Sequence, residues 1–322
     1  MNSLGIVVIG RNEGDRLVRC LASLEGQGAR VVYVDSGSTD DSVAHAQKAG
    51  AIVVELDMTR PFTAARARNA GLAALLANDP TTYVQFVDGD CELREGWLNQ
   101  AVAFLETHPE YAITCGRLRE RFPEASFYNR VLDREWATEV GDLHRCGGIF
   151  TARVAPINDL GGFNEDLIAG EEPELCLRLR RRGWRIWRLD HEMAWHDAAM
   201  TRFSEWWTRT SRAGYTFAEG AVLHGRETER YHVREALRAL FWGAGLPGCL
   251  LLSALFEPWA LLGFVLYPFQ TLRMALRFGK GAFSWKLACL NTIGKFAEAQ
   301  GVARYVWRRL WAKPAKTIEY KN

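Results

Sequence analysis

A chain of 322 residues, 48% hydrophobic and 24% charged, is long enough for a large globular domain with an appendage, and without repeats or low-complexity tracts it excludes disordered and solenoid classes. The formal charge of +2 hides an asymmetry: residues 273–322 hold eleven Lys and Arg against two acids, which leaves −7 for residues 1–272 and speaks against a nucleic-acid partner on the main body. Seven cysteines without CxxC spacing argue against a disulfide framework or a structural zinc site, and for a reducing compartment.

In chain order, residues 4–10 form a short apolar run with no basic stretch before it and Arg11, Glu13 and Asp15 after it. This reads as a buried strand rather than a signal peptide. Further β-rich runs at 30–35, 52–55 and 83–87 alternate with helical spacing at 16–24, 42–49 and 63–76. The alternation predicts an α/β fold, a parallel sheet with helices on both faces, whose ligands gather at the carboxyl ends of the strands.

Those ends are polar. The first strand runs into Gly10-Arg11-Asn12-Glu13 and the second into Asp35-Ser36-Gly37-Ser38-Thr39-Asp40-Asp41-Ser42. Thr39 or Asp40 suits a helix cap, which leaves Asp35 to bond a sugar hydroxyl or a nucleobase N–H. No GxGxxG follows the first strand, so a dinucleotide enzyme is not expected. The fourth strand ends in Asp88-Gly89-Asp90, two carboxylates around a glycine, a pattern suited to a hard divalent cation bridging phosphates.

With these motifs the chain resembles the family 2 glycosyltransferases of the GT-A fold. The matching segments are Asn12-Glu13, Asp35 through Asp40, Ala67-Arg68-Asn69-Ala70-Gly71, Asp88-Gly89-Asp90, Gly161-Gly162-Phe163-Asn164-Glu165, and Gly170-Glu171-Glu172 leading into residues 175–183. The resemblance implies a Rossmann-like, mostly parallel sheet within residues 1–225. It also implies a nucleotide contact at Asp35, a ribose or metal contact at Asp88, and Mg²⁺ or Mn²⁺ held at Asp90 on the diphosphate of a nucleotide-sugar donor. The expected reaction is transfer of one sugar with inversion; the Gln-x-x-Arg-Trp signature of processive synthases is not matched.

An acceptor hydroxyl needs a base. The family has Glu-Asp where this chain has Glu171-Glu172, so the presumed base is one methylene longer and either residue is a candidate. His196 is a candidate metal ligand, with His191 as its competitor. Asn12 and Glu13 are candidate substrate contacts. Arg66 and Arg68 are candidates at the nucleotide, and Arg209 with Arg212, one turn apart on a helical stretch, could balance the leaving diphosphate. Gly147 and Gly148 after Cys146 resemble the family's glycine-bearing strand near the acceptor pocket. A sugar-nucleotide pyrophosphorylase and a catalytically silent glycan-assembly or binding subunit are the rival readings. The first lacks a basic, glycine-rich loop after strand one, and the intact acidic set weighs against the second.

Residues 226–322 form the appendage. Between 239 and 272 the only charge is Glu257, beside Pro258, with Arg234 and Arg238 before the segment and Arg273, Arg277 and Lys280 after it. The pattern predicts a membrane-embedded helical hairpin with both ends at the cytoplasmic face, or one lying in the interface. Residues 273–322 read as a basic amphipathic tail on anionic membrane lipids, an arrangement that suits a lipid-linked or other glycan acceptor.

Overall fold

The computed structural model describes residues 3–77 and 80–311; the last part of the basic tail, 312–322, lies outside the described residues. The chain divides into two compact units, Met1–Thr201 and Arg202–Asn322. This division falls ahead of the boundary at 225 expected from the sequence, because the helix Phe203–His224 packs along the C-terminal helix Ala282–Leu310.

The first unit is the expected α/β fold. Strands β1 (Leu4–Gly10), β2 (Arg30–Asp35), β3 (Ile52–Glu55) and β4 (Tyr83–Asp88) run parallel in the order β3-β2-β1-β4, connected through α1 (Asp15–Ala22), α2 (Ser42–Lys48) and α3 (Ala64–Leu76). Ile6, Val7 and Val8 are consecutive and all fully buried, as a strand covered by helices on both faces demands. Gly10 is in register with Asp35, and Ile9 with Asp88. The ends of β1, β2 and β4 are therefore level, and their polar residues share one edge of the sheet.

Beyond β4 the sheet becomes mixed. After β5 (Cys91–Leu93), α4 (Trp97–Thr107), β6 (Tyr111–Glu120), α5 (Phe127–Trp136) and β7 (Gly141–Asp142), strand β8 (Phe150–Arg153) lies antiparallel between β4 and β6. Then follow α6 (Val154–Asp159), α7 (Glu171–Arg181) and the 12-residue β9 (Arg185–His196), parallel to β6 and antiparallel to β5. Register pairs the last residue of β9, His196, with Cys91 and with Glu120, one position from Asp90.

The second unit is helical. Helix α8 (Phe203–His224) and helix α9 (Val233–Leu240) lead through a π turn at Phe241–Gly245 into α10 (Leu246–Ala254), one continuous arm; after a bend at 255–257 a 3₁₀ stretch, Pro258–Val265, continues into α11 (Leu266–Phe278). The arms pack antiparallel: the Tyr267 hydroxyl donates to the Trp242 carbonyl, and Leu250 lies against Gly263. Helix α12 (Ala282–Leu310) crosses α8 so closely that an added Cβ at Gly301 would stand 1.9 Å from the Ser211 carbonyl oxygen, and one at Gly214 would stand 2.0 Å from that of Glu298.

Candidate active site

At the β1 and β2 ends, polar side chains fasten one loop to the other. Asn12 adopts a left-handed backbone (φ 54°), its Oδ1 accepts from the Thr39 N–H at 2.7 Å, and its own N–H donates to Ser38 Oγ at 2.9 Å. Glu13 pairs with Arg16 at 2.8 Å. Asp35 is buried and accepts from the Gly37 and Ser38 N–H groups at 2.9 and 2.8 Å, from the Tyr33 hydroxyl at 3.1 Å and from the Ser38 hydroxyl. Those four donors match a carboxylate's acceptor capacity, so Asp35 shapes its own loop. A nucleobase bonding it would displace one of them.

Arg66 was expected at the nucleotide, but its guanidinium is spent on the carbonyls of Asp57, Arg60 and Pro61, and it holds that loop in place. Arg68 is buried with a different duty. It bonds Asp88 Oδ1 at 2.9 Å, the Gly148 carbonyl at 3.2 Å, and Glu171. One cation thus fastens the end of β4, the loop before β8 and the start of α7. The flanking carboxylates keep it protonated against the effect of burial. Gly148 is held so close that a Cβ there would meet Asp88 Oδ2 and Arg68 Nη2 at 3.0 Å, and its neighbour Gly147 takes φ 90°.

On the other side of Asp88, Asp90 and His196 come together across 106 positions, Oδ2 to Nε2 at 3.2 Å. The Trp136 ring meets the imidazole edge-on at 4.6 Å, and the buried Nδ1 has no hydrogen-bond partner among the described residues. Burial and the Asp88 and Asp90 charges push the Cys91 thiol well up, so it stays protonated and donates to Asp90 Oδ1. Asp90, Cys91 and His196 bring a carboxylate oxygen, a sulfur and an imidazole nitrogen within 4.8 Å of one another, an arrangement that fits a divalent cation accepting oxygen and nitrogen ligands. Asp88, expected to share this cation, is half-buried and bonded to Arg68. His191 lies earlier in β9, its Nδ1 against the Glu192 carbonyl.

The two glutamates at the start of α7 differ sharply. Glu171 is the ion-pair partner of Arg68. Glu172 is buried, and its Oε1 accepts from the Cys146 N–H at 2.6 Å and meets Cys146 Sγ at 3.1 Å and Cys176 Sγ at 3.0 Å. Burial raises its pKa, and the hydrogen bonds offset only part of that. Both cysteines escaped the sequence reading. Cys176, four residues after Glu172 on one helix face, was legible from spacing; Cys146 is delivered by the loop before β8 and carries no local signal. Arg209 and Arg212 stand one turn apart on α8, half-buried, in the second unit.

Residues 5–160 match the family described as Glycosyl transferase family 2. The chain is similar to the pre-mycofactocin glycosyltransferase of Mycobacterium tuberculosis, 28% identical over 240 residues, which cover 69% of this chain and 48% of that protein. It is also similar to an uncharacterized glycosyltransferase of Mycobacterium bovis, 29% identical over 192 residues, covering 56% of this chain and 79% of the other. The chain spans about half the length of the first of these relatives. Among solved structures, the mannosyltransferase PcManGT from Pyrobaculum calidifontis, in complex with GDP-Man and Mn²⁺, aligns with a TM-score of 0.57 at 18% identity over 96% of this chain and 87% of that one. Residues 1–349 of S. aureus TarS align with a TM-score of 0.53 at 16% identity, over 94% and 91% of the two chains. These likenesses show a shared GT-A fold.

Proposed function

We propose that this chain, whose residues 5–160 match glycosyl transferase family 2, transfers a single sugar, with inversion, from a nucleotide-diphosphate donor to a hydroxyl of a glycan or lipid-linked acceptor. The observation that carries the reading is the pair of sites at one sheet edge: a cation-binding pair, Asp90 and His196, and a buried glutamate of raised pKa, Glu172, linked through Arg68 and Asp88.

Inversion needs one displacement and one base. As the acceptor oxygen bonds to the anomeric carbon and the bond from that carbon to the diphosphate breaks, Glu172 takes the hydroxyl proton. Held by the Cys146 N–H and two thiols, its carboxylate does not swing away, which keeps the hydroxyl oriented. Asp90 and His196 would hold Mg²⁺ or Mn²⁺, and such a cation, when bound, balances the charge on the leaving diphosphate. Arg68 fixes Asp88 and the 147–148 loop between the two sites. Of the two candidate bases, Glu172 is favoured, since Glu171 is neutralised by Arg68.

The second unit supports a membrane location on the cytoplasmic face. Leu255, Phe256 and Trp259 around the hairpin bend are 77%, 85% and 77% exposed, with basic residues before and after the arms. Among the described residues one helix, Val233–Ala254, is long and apolar enough to cross a bilayer. Membrane lipids would then be the source of a lipid-linked acceptor.

The test is nucleoside-diphosphate release from a panel of nucleotide sugars with Mn²⁺. Turnover with at least one donor is expected, abolished by EDTA and by Asp90→Ala while the circular dichroism spectrum stays that of the wild type. No release from any donor overturns the enzyme reading, and near-normal turnover of Asp90→Ala overturns the cation site.

A further inference from the structure

We propose that Cys146, Glu172 and Cys176 form a second metal site, selective for a thiophilic cation such as Zn²⁺, and that its occupation takes the base out of action; the inhibitory part rests on Glu172 being that base. The two sulfurs lie 3.7 Å apart, and Glu172 Oε1 lies 3.1 and 3.0 Å from them. A tetrahedral ion with Zn–S of about 2.3 Å and Zn–O of about 2.1 Å separates its ligands by about 3.8 Å (S to S) and about 3.6 Å (S to O). The two sulfurs are already at that spacing, and the carboxylate oxygen has to draw back from them by about half an ångström.

Two ligands share a helix face, Glu172 and Cys176 at i and i+4, and the third arrives on the loop before β8. Cys176 and Glu172 are buried and Cys146 is half-buried, so the loop side is the way in, and a fourth position stays open to water. Binding breaks two S–H bonds, forms two metal–sulfur bonds and releases two protons to solvent. The Asp90 and His196 pair lies beside one thiol, Cys91, against two sulfurs here, so a thiophilic cation favours the second site and a hard one the first. With Oε1 on the ion, the carboxylate cannot accept the acceptor proton.

Cd²⁺, titrated into the full chain under reducing conditions with Mn²⁺ present, serves as the spectroscopic probe. The expected result is an ultraviolet thiolate-to-metal band at one equivalent, displaced by Zn²⁺. The band is roughly halved in Cys146→Ser, where one thiolate remains of two, and lost in Cys146→Ser/Cys176→Ser. Zn²⁺ should lower wild-type donor turnover by about 10²-fold, the loss expected when a general base is removed, and leave the rate of the double variant, whatever its own level, unchanged. A band that persists in the double variant places the ion on the exposed Cys249 and Cys289 or on Cys91 and overturns the site, as does the absence of a band. A band with the expected variant pattern but no effect of Zn²⁺ on turnover upholds the metal site and overturns Glu172 as the base.

Discussion

Around Glu172, the removal of water outweighs three hydrogen bonds, and the carboxyl holds its proton to a higher pH than an exposed glutamate does. A base must be ionised to act, so kcat/KM should rise with pH along a limb whose midpoint lies above the ordinary glutamate value. Glu172→Gln should lower kcat by about 10²-fold or more with little change in donor affinity and should erase that limb; a wild-type rate or an unshifted limb removes the residue from the mechanism. The same shift has a sign for stability. A folded-state pKa raised above the unfolded one contributes stability below the unfolded value, and that contribution fades as pH rises through the folded value, so Glu172→Gln should flatten the alkaline side of this window in thermal melts. Arg68 sets a second expectation. Deleting it strips the buried Glu171 of its counter-charge while the partly exposed Asp88 keeps solvent, so Arg68→Ala should cost about 3 kcal/mol in denaturant unfolding, with poor rescue by lysine, whose single ammonium cannot bridge both. Loss of under about 1 kcal/mol, the scale of a solvated surface pair, would show that this network is not buried in solution. Asp90 stood out in the sequence two positions past the end of an apolar strand, and His196 after the apolar pair Ala194-Trp195. The duties of Arg66 and Arg68 did not, since nothing local says whether a guanidinium meets a ligand, a carbonyl or a carboxylate.

Among the elements, the parallel half of the sheet was readable from alternating β-rich and helical runs, with β1 to β3 ending where expected and β4 one residue later. The antiparallel insertion of β8 was not, because strand direction is set by long-range pairing rather than by composition. That insertion carries Cys146 and the Gly147-Gly148 pair to the site, so what the sequence concealed at the residue level follows from what it concealed here. The crossing of α8 and α12 gives an element-scale prediction. Gly301→Ala places a methyl 1.9 Å from a backbone carbonyl, where no rotamer change relieves the clash, so the helices must separate. An overpacking cost of about 1–3 kcal/mol or more is expected. Thermal unfolding of the second unit should shift downward, while Gly248→Ala, which meets nothing within 4 Å, should not shift it by the same route; equal melting of both variants would refute the close crossing.

For the whole molecule, two compact units divide the labour: an α/β unit gathers the charged chemistry, and a helical unit displays apolar side chains. If the hairpin enters lipid, the full chain should sediment with membranes and resist carbonate extraction, and Phe256→Glu/Trp259→Glu should move it to the supernatant without altering its circular dichroism. A wild-type chain that stays in the supernatant without detergent would refute the anchor. The position of β9 has a further consequence, for synthesis. The last strand of the first unit is not added at an edge; it slots between β6 and β5, which have been waiting since residues 91–120 left the ribosome. Until residue 196 emerges, β5 has no strand to pair with and one side of β6 is an open row of amides and carbonyls, the kind of surface on which nascent chains stick to one another. The strand that ends this exposure also ends in His196, so the chain gains the imidazole proposed for the cation site in the same step in which these two strands find their partner.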